Sequence, residues 1–278
     1  MKKKVAILVR VYDRVEDLNY NLQIIRDTWH TFDYEIIVIS NGYKDGYLIN
    51  ENTKQLVDNL IILDHNWGHR KGSAQLLQEG RKHIPDDCDY TIILEADTWI
   101  YSDDIVSKYV RLLDDKVNVV WASADWYDKD YSLAVDFAIV KSDFIRTHFD
   151  LFDIDLYPEC YIANYLKKAD VGFISITENM PVHIPSYMPK YPCIDDSANK
   201  RFYIFPKAKM VTHHIEFLKG GINEKKQLFN VITGTNYFTD ISVKNRRWKR
   251  IKPVFWIYLS YLLPKKSWFK AKVYRKLD

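Results

Sequence analysis

The sequence predicts an α/β protein: a Rossmann-like, mostly parallel central sheet flanked by helices, with a basic, aromatic helical extension at its C-terminus. Three observations predict this. Short, mostly apolar runs at 5–9, 34–39, 60–63 and 91–94 are each bounded by turn or polar residues, as in strands covered on both faces. Helical or long polar segments lie between them, which calls for right-handed crossovers joining parallel strands. Charge is divided along the chain: 244–278 carries a balance of +11 and the preceding 243 residues −8, within a net charge of +3.

A chain of 278 residues holds one large α/β domain or two small ones. We read 1–243 as one domain, with 1–115 as a ligand-binding half and 116–243 as a second half facing the other substrate. Residues 244–278 form an amphipathic tail. Neither an internal repeat nor a low-complexity linker interrupts the domain.

Taken in order, Val-Ala-Ile-Leu-Val at 5–9 is the first strand. Leu18, Leu22, Ile25 and Trp29 then recur at helical spacing, so a helix follows. The second strand, 34–39, closes on the turn Ser40-Asn41-Gly42. Residues 44–58 form a polar loop with a helix, and 60–63 is a third strand ending at Asp64. A glycine-containing segment, 66–73, precedes a helix over 74–83. The fourth strand, 91–94, runs into two carboxylates, Glu95 and Asp97. Helix 105–113, strands 117–122 and 137–140, and helix 142–149 come next. Pro158 marks the first position of a helix over 158–168. Strand 172–176 precedes a proline-bearing stretch, 182–206, read as a functional loop or lid. A last strand, 209–212, leads to His213 and His214.

The chemistry gathers at strand ends. In an open parallel sheet the C-terminal ends of the strands converge on one crevice. Arg10, Tyr12 and Asp13 end the first strand, Asn41 the second, and Glu95 and Asp97 the fourth. The two acids, followed by Ser102, Asp103 and Asp104 opening the next helix, point to a hard cation and a phosphorylated ligand; alone they could be a solvated turn. Amides around Gly68, with Arg70 and Lys71, could face an anion at a helix N-terminus, or form an ordinary turn with surface bases. The segment is neither a P-loop nor a dinucleotide fingerprint, because the glycine spacing and position are wrong for both. Glu159 is a candidate general base or a first-turn acid complementing the helix dipole. Asp125, Asp153 and Asp155 are weaker candidates. His213 or His214 could complete a carboxylate site with one nitrogen ligand, or be a structural histidine.

In this order, these residues resemble the GT-A glycosyltransferases of the broad family-2 type over about residues 3–215. The resemblance implies that the first strand, through Arg10 and Tyr12, enters a nucleotide pocket. Asn41 stands where an acid commonly contacts the nucleoside. Asn66-Trp67-Gly68 matches the Asn-x-Gly element after the third strand, and Glu95-Ala96-Asp97 the Asp-x-Asp metal motif with its first acid lengthened. Glu159 matches the catalytic acid at the acceptor-side helix, with Cys160 where a second acid is usual, and His213 or His214 matches a C-terminal ligand. The implied activity is metal-dependent transfer of a sugar from a nucleotide-diphosphate donor to a glycan or lipid-linked glycan, in cell-surface polysaccharide biosynthesis. Asp97, Glu95 and a histidine would hold Mn2+ or Mg2+; Glu95 could instead reach the nucleoside. Glu159 would deprotonate the acceptor, inverting the anomeric carbon. A non-catalytic sugar-nucleotide-binding protein is one alternative. A sugar-phosphate nucleotidyltransferase is another, although no glycine-rich loop follows the first strand.

The bulk of the sequence bounds the setting. Three widely separated cysteines, Cys88, Cys160 and Cys193, form no metal or redox spacing and predict a reducing, cytoplasmic compartment. Apolar residues between Pro253 and Pro264 are too few to span a bilayer. Trp, Tyr and Phe interleaved with Lys and Arg suit the headgroups of an anionic membrane, so peripheral attachment to the inner face through 244–278 is expected. Packing on the chain's own domain or in an oligomer is the other reading of the tail. No nucleic-acid module accompanies the basic residues.

Overall fold

The computed structural model describes residues 2–124, 132–155, 157–179, 202–205, 207–213, 218, 220–241 and 273–274. Its first part is a regular alternation: β1 (Lys4–Val11), α1 (Val15–Thr28), β2 (Asp33–Ser40), α2 (Glu51–Lys54), β3 (Asn59–Ile62), α3 (His69–Gly80) and β4 (Tyr90–Glu95). There follow β5 (Trp99–Ile100), α4 (Asp104–Asp114), β6 (Val119–Ser123), β7 (Phe137–Lys141), α5 (Ser142–Thr147), α6 (Pro158–Lys168) and β8 (Gly172–Ser175). The last elements are β9 (Phe202–Phe205), β10 (Met210–His213), α7 (Gly221–Thr233) and the residue pair β11 (Val273–Tyr274).

The main sheet has the order β11-β8-β6-β7-β4-β1-β2-β3. Strands β1 to β4 are mutually parallel, as their apolar runs predict. In the second half β6 and β8 pair in parallel while β7 lies antiparallel to both β4 and β6, so the sheet is mostly parallel, as expected. Both halves of the predicted domain share this one sheet.

Alternation along each strand divides the core. Val5, Ile7, Val9 and Val11 pack with Leu18, Leu22 and Ile25 of α1 and with its C-cap Trp29 on one face. Ala6 and Leu8 face the opposite layer, where Leu77 of α3, Phe144 of α5 and Leu166 of α6 lie. Period-two alternation in β1 thus meets the 3.6-residue period of helices on both sides. Burying such side chains contributes about 1.5–3 kcal/mol each, so both layers hold the strand ends rigidly.

A second sheet, β5-β10-β9, stands beside the first. It overturns part of the predicted 182–206 loop, whose residues 202–205 pair antiparallel with β10. The remainder of that stretch, like the tail 244–272, Asp125, Cys193 and His214, lies outside the described residues. The last predicted strand is shifted by one, so that His213 ends it instead of following it. Helix α7 covers the small sheet, and Phe229 and Leu228 bury Trp99, Val211 and Phe238 in a third cluster. Among the described residues, no helix is long and apolar enough to cross a membrane.

Candidate metal and ligand site

Strand β4 delivers Glu95 at its last residue, and the chain then turns sharply, with the Thr98 N–H donating to the Glu95 carbonyl at 3.0 Å. Asp97 leaves this turn buried, at 6% exposure. From the other sheet, β10 ends at His213, whose backbone sits in the left-handed region at φ +73°. This conformation is uncommon for a residue with a Cβ and turns the ring out of the strand's alternation. One ligand atom each from Glu95, Asp97 and His213 lies within 4.8 Å of the others.

Two features fit this trio to a divalent cation. Its donors are two carboxylates, which suit Mn2+ or Mg2+, and an imidazole, which weights the set toward a transition metal such as Mn2+. Asp97 Oδ1 is buried without a hydrogen-bond partner, a costly arrangement that a cation would relieve. His213 carries the charge in the ion-free site. Burial alone would lower its pKa, but the Glu95 hydrogen bond and the fields of Asp136 and Asp97 outweigh it and push it up to about 9.

Arg10 is almost wholly buried and directed inward. Its guanidinium donates to Glu95 Oε1 at 2.9 Å, to the Val135 carbonyl at 2.6 Å and to Ser73 Oγ. Tyr12 stands edge-on to Tyr47, with ring centroids 5.0 Å apart. Asn41 is the hub of an amide network: its Nδ2 faces Asn66 Oδ1 at 3.3 Å, the Gly72 carbonyl at 3.1 Å and Gln75 Oε1 at 3.2 Å. The network binds the end of β2 to α3 and to the loop before it.

Gly68 caps α3 at φ +91°, and its N–H donates to Asn66 Oδ1 at 3.0 Å. Gly72 is required for another reason, since a Cβ there would lie 2.0 Å from Asn66 Oδ1. Arg70 and Lys71 are exposed on the first turn of α3. The Arg70 guanidinium stacks over Tyr157, 4.5 Å from the ring centroid. Tyr157 is the N-cap of α6, whose Pro158 occupies the predicted first position and whose first turn carries Glu159. Main-chain contact between Glu159 and Leu133 secures that turn at 3.0 Å.

Other candidates are engaged elsewhere. Asp103 is buried and accepts from the Thr31 N–H at 2.6 Å and hydroxyl at 2.8 Å, while Ser102 donates to Asp104 at 2.7 Å. These residues tie α4 to the α1–β2 connection and add nothing to the cation trio. Asp153 accepts from Gln78, and Asp155 is exposed.

Sequence reasoning missed Asp136. It is buried immediately before β7, where burial pushes its carboxyl pKa up to about 7, and its Oδ2 has no hydrogen-bond partner. An acid directly preceding the run Phe-Ala-Ile-Val was the available signal, of the same kind that marked the end of β4. Also missed were Asp17, Asn21 and Lys225, all buried beneath the Glu95–Asp97 turn.

No known family model matches the chain, and no curated protein matches it. Among solved structures it is similar to TarS 1–349 of S. aureus, with 12% identity, TM-score 0.41, and 60% of this chain and 55% of that one covered. It is also similar to a 4-diphosphocytidyl-2C-methyl-D-erythritol synthase from Anaerococcus prevotii, at 12% identity, TM-score 0.43, and 61% and 83% coverage. The catalytic domain of Drosophila beta1,4-galactosyltransferase 7 matches at 16% identity, TM-score 0.34, and 52% and 51% coverage. The chain spans about half the length of TarS 1–349. At these TM-scores and identities, the likeness decides neither family nor activity.

Proposed function

We propose that the chain is a metal-dependent glycosyltransferase of the GT-A type, moving a sugar from a nucleotide-diphosphate donor to a glycan or lipid-linked glycan. The observation that carries this reading is the convergence of Glu95, Asp97 and His213, from two different sheets, around an unpartnered buried carboxylate oxygen. A bound Mn2+ or Mg2+ would supply positive charge against the donor diphosphate.

The chain's own residues account for the rest. Asp97, Glu95 and His213 hold the cation. The α3 N-terminus that follows Gly68, with Arg70 and Lys71, offers first-turn amides and positive charge to phosphate oxygens. Tyr12 and Asn41 border the nucleoside, and Arg10 holds Glu95 in place from below. Glu159 accepts the proton of the acceptor hydroxyl as the new bond to the anomeric carbon forms. The bond from that carbon to the diphosphate oxygen breaks, and the nucleoside diphosphate leaves. A single displacement of this kind inverts the anomeric configuration. The tail 244–278 places the enzyme at an anionic membrane surface, where a lipid-linked acceptor would be presented, in polysaccharide synthesis.

A panel of sugar nucleotides, incubated with the chain and Mn2+, tests the reading. Metal-dependent release of nucleoside diphosphate from at least one donor is expected. A chain that binds a donor but releases none under any metal is a non-catalytic binding protein, and the proposal fails.

A further inference from the structure

Beneath the Glu95–Asp97 turn lies a buried ion pair that neither the sequence motif nor the proposed reaction explains. Lys225 of α7 is fully buried, and Asp17 of α1 is 1% exposed. The Lys225 ammonium donates to Asp17 Oδ1 and, at 2.6 Å, to the main-chain carbonyl of Asp97. It also sits 4.3 Å from the centroid of the Trp99 ring, whose Nε1 donates to the Asp17 carbonyl at 3.1 Å. Asn21, one turn after Asp17 on α1, donates to the carbonyls of Glu95 at 3.1 Å and Ala96 at 3.2 Å. Three consecutive carbonyls are thus drawn inward by side chains from α1 and α7. With its carbonyl drawn inward, Asp97 is set to direct its carboxylate at Glu95 and His213.

Taking a lysine out of water is costly unless its partners compensate it fully. Ordinary packing of α7 on the small sheet would be served as well by a leucine. We infer that Lys225, with Asp17, is a positioning residue: it locks the main chain at Asp97 so that the carboxylate is held ready for the divalent cation. This rests on the proposed role of Glu95, Asp97 and His213. It extends the functional unit to α7, a helix that follows all the predicted site residues in the chain.

Removing one charge alone leaves the other buried and unpaired, which would unfold the site for an uninformative reason. The test is therefore the double variant Asp17→Leu/Lys225→Met, with Mn2+ binding followed by electron paramagnetic resonance and unfolding followed by thermal denaturation. The expected result is a folded protein, melting near the wild type, whose Mn2+ dissociation constant rises at least about tenfold. A folded double variant binding Mn2+ within about twofold of the wild type overturns the inference. Wild-type protein that binds no Mn2+ overturns the metal reading itself, and the positioning role with it. A second measurement needs no variant. In the wild type, the amides of Ala96 and Thr98 are expected to exchange with deuterium as slowly as those of Ile93 and Leu94. Exchange of the two turn amides at the rate of an open loop would show that the turn is not locked and overturn the inference.

Discussion

His213 Nδ1 lies 3.5 Å from Glu95 Oε2, joining the last residue of a strand in the small sheet to the last residue of a strand in the large one. The imidazole is protonated in the ion-free chain up to a pH of about 9. A cation taking that nitrogen must displace the proton, so Mn2+ affinity should climb with pH by about tenfold per unit below that value, then level off. Calorimetric titrations at several pH values, in buffers of differing ionisation enthalpy, would register the released proton. Affinity that is flat with pH would remove His213 from the ligand set. The same shift bears on stability. Its contribution is fully present below the ordinary histidine value of 6.5 and is lost as pH rises through about 9.

Replacing Asp97 with Asn removes a carboxylate whose Oδ1 has no partner in the fold. Stability should therefore be unchanged or slightly raised. Turnover should fall by about a thousandfold, the scale of losing a group that organises charge stabilisation in the transition state. Steady-state release of nucleoside diphosphate measures it. Near-normal turnover in a folded variant would end the metal assignment.

Gly72→Ala forces a Cβ to within 2.0 Å of Asn66 Oδ1 and 3.1 Å of Asn41 Nδ2. Overpacking of this kind costs about 1–3 kcal/mol. Because the displaced groups border the proposed donor pocket, KM for the sugar nucleotide should rise more than kcat falls. A variant with both constants unchanged would separate this amide network from donor binding.

Arg10→Met leaves Glu95, Ser73 and the Val135 carbonyl without their shared donor. A loss of about 2–3 kcal/mol in unfolding free energy is expected, since the buried Val135 carbonyl and the Glu95 carboxylate both lose a charged donor. Urea denaturation reads this directly. A loss below about 1 kcal/mol would show that the guanidinium is not a structural tie.

Deleting 244–278, which also removes the β11 residue pair from the edge of the main sheet beside β8, should abolish binding to liposomes containing anionic lipid while sparing metal-dependent hydrolysis of the donor. Co-sedimentation of full-length and truncated chains makes the comparison. Equal binding by both would locate membrane affinity elsewhere or nowhere.

Strands β1, β2 and β4 were readable because a strand buried on both faces has a local signature; β3, a partly exposed edge strand, was readable from its apolar run alone. Three to five consecutive apolar residues, rich in Val and Ile and bounded by polar turns, are too short for a buried helix and so read as strand. Pro158 at the start of α6 was readable for a similar reason, since its ring suits the first helical position. Strand direction has no such signature, and the antiparallel setting of β7 could not be read for that reason: its apolar run is the same whichever way it points. β5 and β9 are held by partners distant in sequence, so two to four residues of local pattern could not reveal them.

The sequence by itself determined the apolar core strands, the helix register and the pair Glu95 and Asp97 at a strand end, because each depends on side chains within a few residues of one another. Only the tertiary structure decided which residues meet there. It brought His213 against Glu95 across two sheets, turned Arg10 inward, and carried Lys225 to Asp17 over a separation of 208 residues. Buried charges such as these read as surface residues along the chain, because the partner that makes burial tolerable arrives only when the chain folds.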